Sequence, residues 1–314
     1  MTALAEDLRA RYRDYNPNQP RDPEGKWGYG LGGKKKKLLD VGGDGGGDGK
    51  YKPLTDDEYE AHTARIGTAT TEALKDGRAT DTEYGIDVDK GIWEFERAKQ
   101  HREIVNDLYA KASGVPTDGK AVVSGGLGGS GKSTVLRGPA QVDQSQYLTL
   151  NPDDVKEEMA ARGMIPEIEG LSPMESATLI HEESSHIAGL LAKRAYAEKK
   201  NVIWDITMAS RGSVERRIGE MRDAGYDDLS AVFVDIPVET SVQRAGARHR
   251  RGMEKYRKGE GYGGRYVPPA IIRKNESATT SSANREVFDA LQPEFDRWSL
   301  YDNSGTAPRK LAEG

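Results

Sequence analysis

The chain has 314 residues and a formal net charge of −5, and its composition excludes several kinds of chemistry. It contains no cysteine, so disulfides, thiol nucleophiles and thiolate zinc sites are excluded. The acidic balance argues against nucleic acid as a partner held by bulk electrostatics. No segment approaches the ~20 apolar residues of a membrane span and the N-terminus lacks a secretory signal, so we expect a cytoplasmic protein with no membrane partner.

Residues 1–53 are predicted to form a disordered linker segment. Glycine, lysine, aspartate, proline and arginine dominate it, so it cannot bury enough surface to repay the entropy of ordering. The glycine- and aspartate-rich run 42–49 raises a calcium-binding repeat as an alternative, but it occurs once and has no recurring apolar strand position. Residues 16–25 look like the tails of phage and prophage proteins, which indicates a mobile-element origin and makes a virion location the alternative to the cytoplasm.

Residues 54–114 are predicted to form a helical extension that packs on the domain after it. Thr55 and Glu58 form a capping box, in which a hydroxyl and a carboxylate satisfy reciprocal N–H groups at the start of a helix. A second helix is indicated by apolar residues at three- and four-residue spacing. These residues are Ile92, Phe95, Ala98, Val105, Leu108 and Ala112.

Residues 115–314 are predicted to form an α/β domain with a parallel sheet flanked by helices, because short apolar runs alternate with helical periods. Strands are predicted at 121–124, 147–150, 201–204, 229–234 and 298–301. Helices are predicted after Gly131 and at 152–162, 173–199, 213–224, 239–251 and 285–291. Ligands of such sheets bind beyond the carboxyl ends of the strands, so candidate site residues are expected there.

The most informative motif follows the first of these strands. Gly126-x-x-x-x-Gly131-Lys132-Ser133 is a P-loop, in which glycines let backbone N–H groups converge on phosphate oxygens at a helix N-terminus. Lys132 is expected on the β- and γ-phosphates and Ser133 on a magnesium ion, so ATP or GTP with Mg²⁺ is the predicted cofactor. The predicted nucleotide-binding residues are Gly126, Gly128, Gly129, Ser130, Gly131, Lys132, Ser133 and Thr134.

Acidic residues at two other strand ends are candidates for the chemistry. Asp153 and Asp154 follow the second predicted strand, and either one suits the task of accepting a hydroxyl proton in phosphoryl transfer. The alternative is that both only cap the helix that begins there. Asp205 ends an apolar strand in the manner of a Walker B element, so we expect it to hold the magnesium together with Ser133.

Two polar segments leave alternatives open. Residues His181 to His186 open a helix and serve either as a surface and capping element or as a substrate contact. These histidines are five residues apart, which excludes the zinc-protease pattern. The basic stretch 243–265 is a solvated face, a nucleic-acid groove, or a lid whose arginines neutralise charge on a transferred phosphoryl group.

With these motifs the chain resembles the zeta toxin family of P-loop kinases, which phosphorylate the 3′-hydroxyl of the amino sugar in UDP-N-acetylglucosamine. The resemblance spans roughly residues 121–303. It rests on the P-loop, on Asn-Pro-Asp-Asp-Val-Lys156, on Asn-Val-Ile-Trp-Asp-Ile-Thr207 and on Gly-Gly-Arg-Tyr-Val-Pro268. It implies a P-loop kinase-like parallel sheet and a small-molecule acceptor, and it leaves open whether an inhibitory antitoxin is a partner.

The resemblance also implies roles for individual residues. Asp153 matches the family's catalytic aspartate. The residues that match the groups stabilising the transferred phosphoryl are Lys132, Arg248 and Arg265. The residues implied near the sugar are Asp205, Thr207, Glu182 and Glu183. The two glutamates are the nearest acids to Gly189, the position at which ungapped counting places the family's substrate-binding glutamate.

Two other functions remain open at this level. A nucleic-acid end kinase would use the basic stretch as its groove and would bind oligonucleotides with a steep salt dependence. A phage or virion-associated nucleotide-binding protein would use the N-terminal segment as its working part.

Overall fold

The computed structural model describes residues 53–314. The linker, calcium and phage-tail predictions for the N-terminal segment therefore lie outside the described residues. Helix α1, Asp56–Lys75, begins at the predicted capping box, in which Thr55 Oγ1 accepts from the Glu58 amide at 3.3 Å. The Thr55 amide in turn donates to Glu58 Oε2 at 2.7 Å, which confirms the capping box.

A short hairpin and a long helix complete the N-terminal extension. Helix α2 spans Thr80–Tyr84, strands β1 and β2 span Gly85–Asp87 and Ile92–Trp93, and helix α3 spans Phe95–Lys111. Strands β1 and β2 pair in antiparallel fashion.

The apolar stripe predicted for α3 is wrong at its start. Ile92 lies in β2 and is 46% exposed, and Phe95 is 74% exposed at the first turn of the helix. The buried face instead begins with Arg97 and His101, followed by Ile104. Two polar residues occupy this face because both bind a buried glutamate, Glu183, on another helix.

A six-stranded sheet forms the centre of the fold. Its strands are β3 Lys120–Gly125, β4 Leu148–Leu150, β5 Val202–Asp205, β6 Asp228–Asp235, β7 Arg297–Asp302 and β8 Arg309–Glu313. Their order is β4-β5-β3-β6-β7-β8, and β3 to β7 run parallel. All five predicted strands are confirmed. The sequence prediction misses β8, an antiparallel edge strand in which every residue is exposed.

Helices cover the sheet and carry the chain between its strands. They are α4 Lys132–Arg137, α5 Pro152–Ala161, α6 His181–Ala197, α7 Arg211–Asp223, α8 Val238–Arg257, α9 Pro269–Arg273 and α10 Ala283–Leu291. The single helix predicted at 173–199 is in fact a 3₁₀ segment, Pro173–Ile180, followed by α6. Helix α8 continues six residues beyond its predicted end at 251.

The core lies on both faces of the parallel strands, as expected for this type of sheet. Val123, Trp204 and Phe233 belong to the larger cluster, which also takes in Ile104 and Val105 from α3. The N-terminal extension therefore shares a core with the sheet. Within residues 53–314, no helix is both long and apolar enough to cross a membrane.

Candidate active site

The loop between β3 and α4 has a backbone that only glycine accommodates at key points. Gly126, Gly129 and Gly131 have φ angles of 128°, 80° and 86°, in the region that L side chains rarely adopt. A Cβ on Gly126 would lie 2.2 Å from the carbonyl oxygen of Val234. The loop consequently presses against β6 and delivers α4 directly behind Gly131, which is the N-cap of that helix.

Contacts from distant parts of the chain hold this loop in place. Ser241 donates to the Gly128 carbonyl at 2.6 Å, and Asn303 donates to the Ser130 carbonyl at 2.6 Å. Arg244 donates to the carbonyls of Gly129 at 3.3 Å and of Asn303 at 2.9 Å. Sequence reasoning misses Arg244 and Asn303, because no local pattern links them to a loop more than 110 residues away.

Lys132 and Asp205 meet at the carboxyl ends of β3 and β5. Lys132 Nζ donates to the Gly126 carbonyl at 3.2 Å and lies 3.5 Å from Asp205 Oδ1. Asp205 is held from two further sides, since it accepts from Ser124 Oγ at 3.1 Å and from Asn151 Nδ2 at 3.3 Å. The Lys132 ammonium therefore lies between the loop and the Asp205 carboxylate, which is itself held by hydrogen bonds.

The donor set at this point fits a magnesium ion. Mg²⁺ prefers hard oxygen ligands and is bound in nucleotide sites by one or two protein groups together with phosphates. The Ser133 hydroxyl belongs to an exposed residue on the first turn of α4, and Asp205 supplies a carboxylate across the same cleft. These two oxygens are the predicted metal ligands.

A cleft of about 360 Å³ opens between the loop and helix α8. Arg244, Ala247, Arg248 and Arg251 line its α8 side, and their spacing of three and four residues places them on one helical face. The loop side is lined by Gly129, Gly131, Lys132, Ser133 and Thr134, with Asp205 at the base. Four basic side chains around one cleft favour an anionic ligand with several phosphates.

Asp153 belongs to an ion-pair network beside this cleft. Its carboxylate accepts from Lys156 Nζ at 3.2 Å and from the guanidinium of Arg265. Burial raises the pKa of Asp153, but the charges of Arg265 and Lys156 outweigh it and hold the pKa below its ordinary value of 3.8. Asn151 supplies the side-chain cap of α5 by accepting from the Asp153 amide at 2.9 Å. The carboxylate of Asp153 is therefore free of the capping role.

The neighbouring Asp154 differs in its electrostatics. Desolvation and the negative charge of Glu157 raise its pKa to about 6. It forms no salt bridge within the part of the chain that the structure describes. The pair resembles other sites in which two adjacent carboxyls have their pKa values pushed apart by environment.

Arg248 is an electrostatic neighbour of both Asp153 and Arg265. Desolvation and then the Arg265 charge lower the pKa of Arg248, while Asp153 acts in the opposite direction. An arginine stays protonated under such shifts. The structure thus brings Asp153, Arg248 and Arg265 together, and Arg248 also lines the cleft, with Lys132 on its loop side.

The residues expected near the sugar differ in their exposure to solvent. Glu182 and Thr207 are exposed, and Thr207 uses its carbonyl to accept from Gly126 at 3.3 Å. Glu183 is fully buried, accepting from Arg97 Nε at 2.5 Å, from Arg97 Nη2 at 2.8 Å and bonding His101 Nε2 at 2.6 Å. Glu183 consequently joins the extension to α6 and is not open to solvent.

Replacing Glu183 with alanine is expected to lower the free energy of unfolding by about 3–5 kcal/mol, because Arg97 and His101 would stay buried without their anion. Burial raises the pKa of Glu183, but hydrogen bonds from His101 and Arg97 bring it down from 4.5 to about 2. This stabilisation is complete above pH 4.5 and is lost as the pH falls toward 2. Urea unfolding across this pH range measures it. Glu182→Ala, at the exposed neighbour, is the control and should change stability by less than ~0.5 kcal/mol.

The fold and the glycine-rich loop together define a protein with a P-loop and a kinase-like α/β fold. The family model of the zeta toxin matches residues 107–307, and the chain therefore belongs to the zeta toxin family. Members of this family have a P-loop kinase-like fold, which supports a kinase or phosphotransferase.

Two solved structures with TM-scores above 0.5 show the same fold at low sequence identity. A chain of the AvrRxo1-ORF1:AvrRxo1-ORF2 complex with sulphate ions is 17% identical in sequence to this chain. The match covers 75% of this chain and 76% of that chain, with a TM-score of 0.54. The native form of that complex is 15% identical, with 84% and 74% covered and a TM-score of 0.51. The PezAT toxin–antitoxin system of Streptococcus pneumoniae is 14% identical, with 69% and 81% covered and a TM-score of 0.49. No curated protein sequence matches the chain.

Proposed function

We propose that the chain transfers the γ-phosphoryl group of ATP to the 3′-hydroxyl of the amino sugar in UDP-N-acetylglucosamine. The observation that carries the proposal is the pairing of Asp153 with Arg265 beside a P-loop cleft that Arg248 lines. A carboxylate and two guanidinium groups at the mouth of a phosphate cradle are the groups that phosphoryl transfer to an alcohol requires. Membership of the zeta toxin family supports the same reading.

On the nucleotide side, the loop amides and Lys132 bind the phosphates. Lys132 exchanges its contacts with Gly126 and Asp205 for the β- and γ-phosphate oxygens. Ser133 and Asp205 are the residues that would hold Mg²⁺, which would neutralise charge on those oxygens. Arg248 and Arg265 bind the γ-phosphoryl oxygens in the planar, two-pronged manner that lysine cannot reproduce.

Asp153 acts as the general base. The sugar hydroxyl gives its proton to the Asp153 carboxylate, its oxygen bonds to the γ-phosphorus, and the bond from that phosphorus to the bridging oxygen of ADP breaks. The Arg265 pair keeps Asp153 ionised but weakly basic before nucleotide binds. Once the γ-phosphate takes over Arg265, the pKa of Asp153 rises toward the range in which a base is effective.

On the acceptor side, Glu182, Thr207 and the outer edge of Asp205 contact the sugar nucleotide. Helix α6 begins at His181, beside Glu182, and the pKa of His181 is lowered by burial and by the Lys156 charge. The start of this helix therefore lies next to the Asp153 network, where an acceptor must sit. The proposal gives Glu183 no substrate contact, because Arg97 and His101 already occupy it. An inhibitory antitoxin is the partner that membership of a toxin family supports.

The acceptor is tested by incubating the purified protein with ATP, Mg²⁺ and UDP-N-acetylglucosamine and following the sugar nucleotide by mass spectrometry. We expect the sugar nucleotide to gain one phosphoryl group with the wild type and none with Lys132→Ala or Asp153→Ala. ATP turnover with an unmodified sugar nucleotide would contradict the acceptor but leave the phosphotransferase class intact. Tight oligonucleotide binding with a steep salt dependence would instead favour a nucleic-acid end kinase.

A further inference from the structure

Two opposite faces of helix α8 make different contacts. One face carries Arg244, Arg248 and Arg251 into the cleft. The opposite face packs against α1 of the N-terminal extension, at residues that alternate with the cleft arginines. Tyr59 Oη donates to the Gly246 carbonyl at 3.2 Å and lies 2.9 Å from His249 Nδ1.

A second contact lies one residue further along α8. Arg250 Nη2 lies 2.9 Å from Asp56 Oδ1, and the Arg250 guanidinium stacks 4.1 Å from the centre of the Tyr59 ring. The backbone positions on both sides of Arg248 are therefore tied to α1.

A buried hydrogen-bonded cluster joins α1, α8 and the 3₁₀ segment. Glu175 Oε1 lies 2.6 Å from His62 Nε2 and 3.0 Å from His249 Nε2. Glu175 Oε2 accepts from the amide and the hydroxyl of Ser172 at 2.7 and 2.8 Å. Each carboxylate oxygen thus has two partners, and Glu175 and His249 are buried.

His62, Glu175 and His249 are residue types that can bind a metal ion, and their ligand atoms lie close together. The hydrogen bonds around His62 indicate instead that its Nε2 carries a proton. Arg65 Nη2 lies 2.9 Å from His62 Nδ1, and a guanidinium can only donate. His62 Nδ1 must then accept, which places the ring proton on Nε2, where it bonds Glu175. A metal-bound Nε2 requires the opposite tautomer. The cluster is consequently a hydrogen-bonded link between three elements.

The loop that carries Arg265 is fixed by the same residues. A Cβ on Gly264 would lie 2.2 Å from the His249 carbonyl oxygen, and a Cβ on Gly263 would lie 2.0 Å from Ser172 Oγ. The Tyr266 ring centre is 5.2 Å from that of His249. The loop therefore sits in backbone contact with α8 on one side and with Ser172 on the other.

We propose that Tyr59, His62, Glu175 and His249 form a brace that positions Arg248 and Arg265 for phosphoryl transfer. The inference rests on the proposed function, and it makes α1 part of the catalytic assembly. None of the four lines the cleft, so they are positioning residues. Long arginine side chains must be held to within a fraction of an ångström, because misplacement by about 1 Å costs on the order of 10²-fold in rate.

The first test is Tyr59→Phe, which removes one hydroxyl and keeps the ring. We expect kcat to fall about 10-fold, with the KM for ATP and the melting temperature close to those of the wild type. In an Arg248→Ala background the same change should have a smaller effect on kcat, because only the part of the brace that acts through Arg265 remains. The control is Tyr256→Phe, on α8 itself, whose hydroxyl makes no hydrogen bond within residues 53–314. Equal falls in kcat with and without Arg248 would overturn the proposal.

The second test does not depend on the acceptor. Amide hydrogen exchange is compared for the wild type, Tyr59→Phe and His249→Gln, without nucleotide. We expect faster exchange in both variants over 244–251 and 262–267, and unchanged exchange in β3 and α4. Unchanged exchange over those two segments overturns the brace even if the kinase assay succeeds. Faster exchange in an enzyme that leaves UDP-N-acetylglucosamine unmodified rejects the proposed acceptor alone.

Discussion

Asp153→Asn is expected to lower kcat by roughly 10²–10⁴-fold while leaving the affinity for ATP close to that of the wild type. Asparagine keeps the size and the hydrogen-bonding reach of the side chain, but it cannot take a proton from the acceptor hydroxyl. In the proposed function ATP binds to the loop and Lys132, which this change does not touch. Steady-state kinetics with saturating acceptor, together with a nucleotide-binding isotherm, measure the two effects separately.

Asp154→Asn is the matched control for this prediction. Asp154 follows Asp153 directly, and its pKa, raised to about 6, is by itself that of a serviceable base. It has no contact with Arg265 of the kind that Asp153 makes. We expect its replacement to change kcat by only a few-fold. A large loss at Asp154 with a small loss at Asp153 would transfer the role of base to Asp154.

Arg265→Ala is expected to lower kcat by about 10³-fold, within the range found when an arginine that stabilises a transferred phosphoryl group is lost. Arg265→Lys should recover only part of the rate, because an ammonium does not reproduce the planar fork of a guanidinium. Removing Arg265 also removes the main charge that lowers the pKa of Asp153. That pKa should therefore rise, and the acid limb of the kcat/KM profile should move to higher pH.

The control for Arg265 is Arg273→Ala. Arg273 pairs with Glu239 at 2.6 Å on the surface and does not line the cleft. We expect wild-type kinetics from this variant. A pH profile that stays fixed in Arg265→Ala, with kcat within a few-fold of the wild type, would mean that the ion pair with Asp153 has no part in the reaction.

The strands and the P-loop could be predicted because their signals are local. The central parallel strands β3, β5 and β6 are short, mostly apolar runs that are largely buried, and the loop combines three glycines at positive φ with Lys132 and Ser133. Strand β8 could not be predicted in this way. All of its residues are exposed, and it is ordered by pairing with the edge of β7, which leaves no periodic apolar pattern.

The candidate site likewise contains residues that local sequence signals reveal and residues that they do not. Asp153, Asp205 and Lys132 could be found from strand ends, since parallel strands bring their carboxyl ends to one edge. The partners of Glu183 could not, because Arg97 and His101 lie more than 80 residues away. They interrupt the apolar face of α3, which is why the predicted stripe fails at its start. The sequence signal for these partners is the presence of the polar residues Arg97 and His101 on the buried face of α3, because buried polar groups need hydrogen-bond partners.

The central claim is that Asp153, Arg248 and Arg265 surround the γ-phosphate of a nucleotide bound by the P-loop. A crystal structure with Mg²⁺ and a non-hydrolysable ATP analogue tests it most directly. We expect both guanidinium groups to donate to γ-phosphate oxygens, with the Asp153 carboxylate released from Arg265 and facing the phosphorus. An analogue seated on Lys132 with Arg265 still paired to Asp153, and with Arg248 directed away from the phosphates, would contradict it.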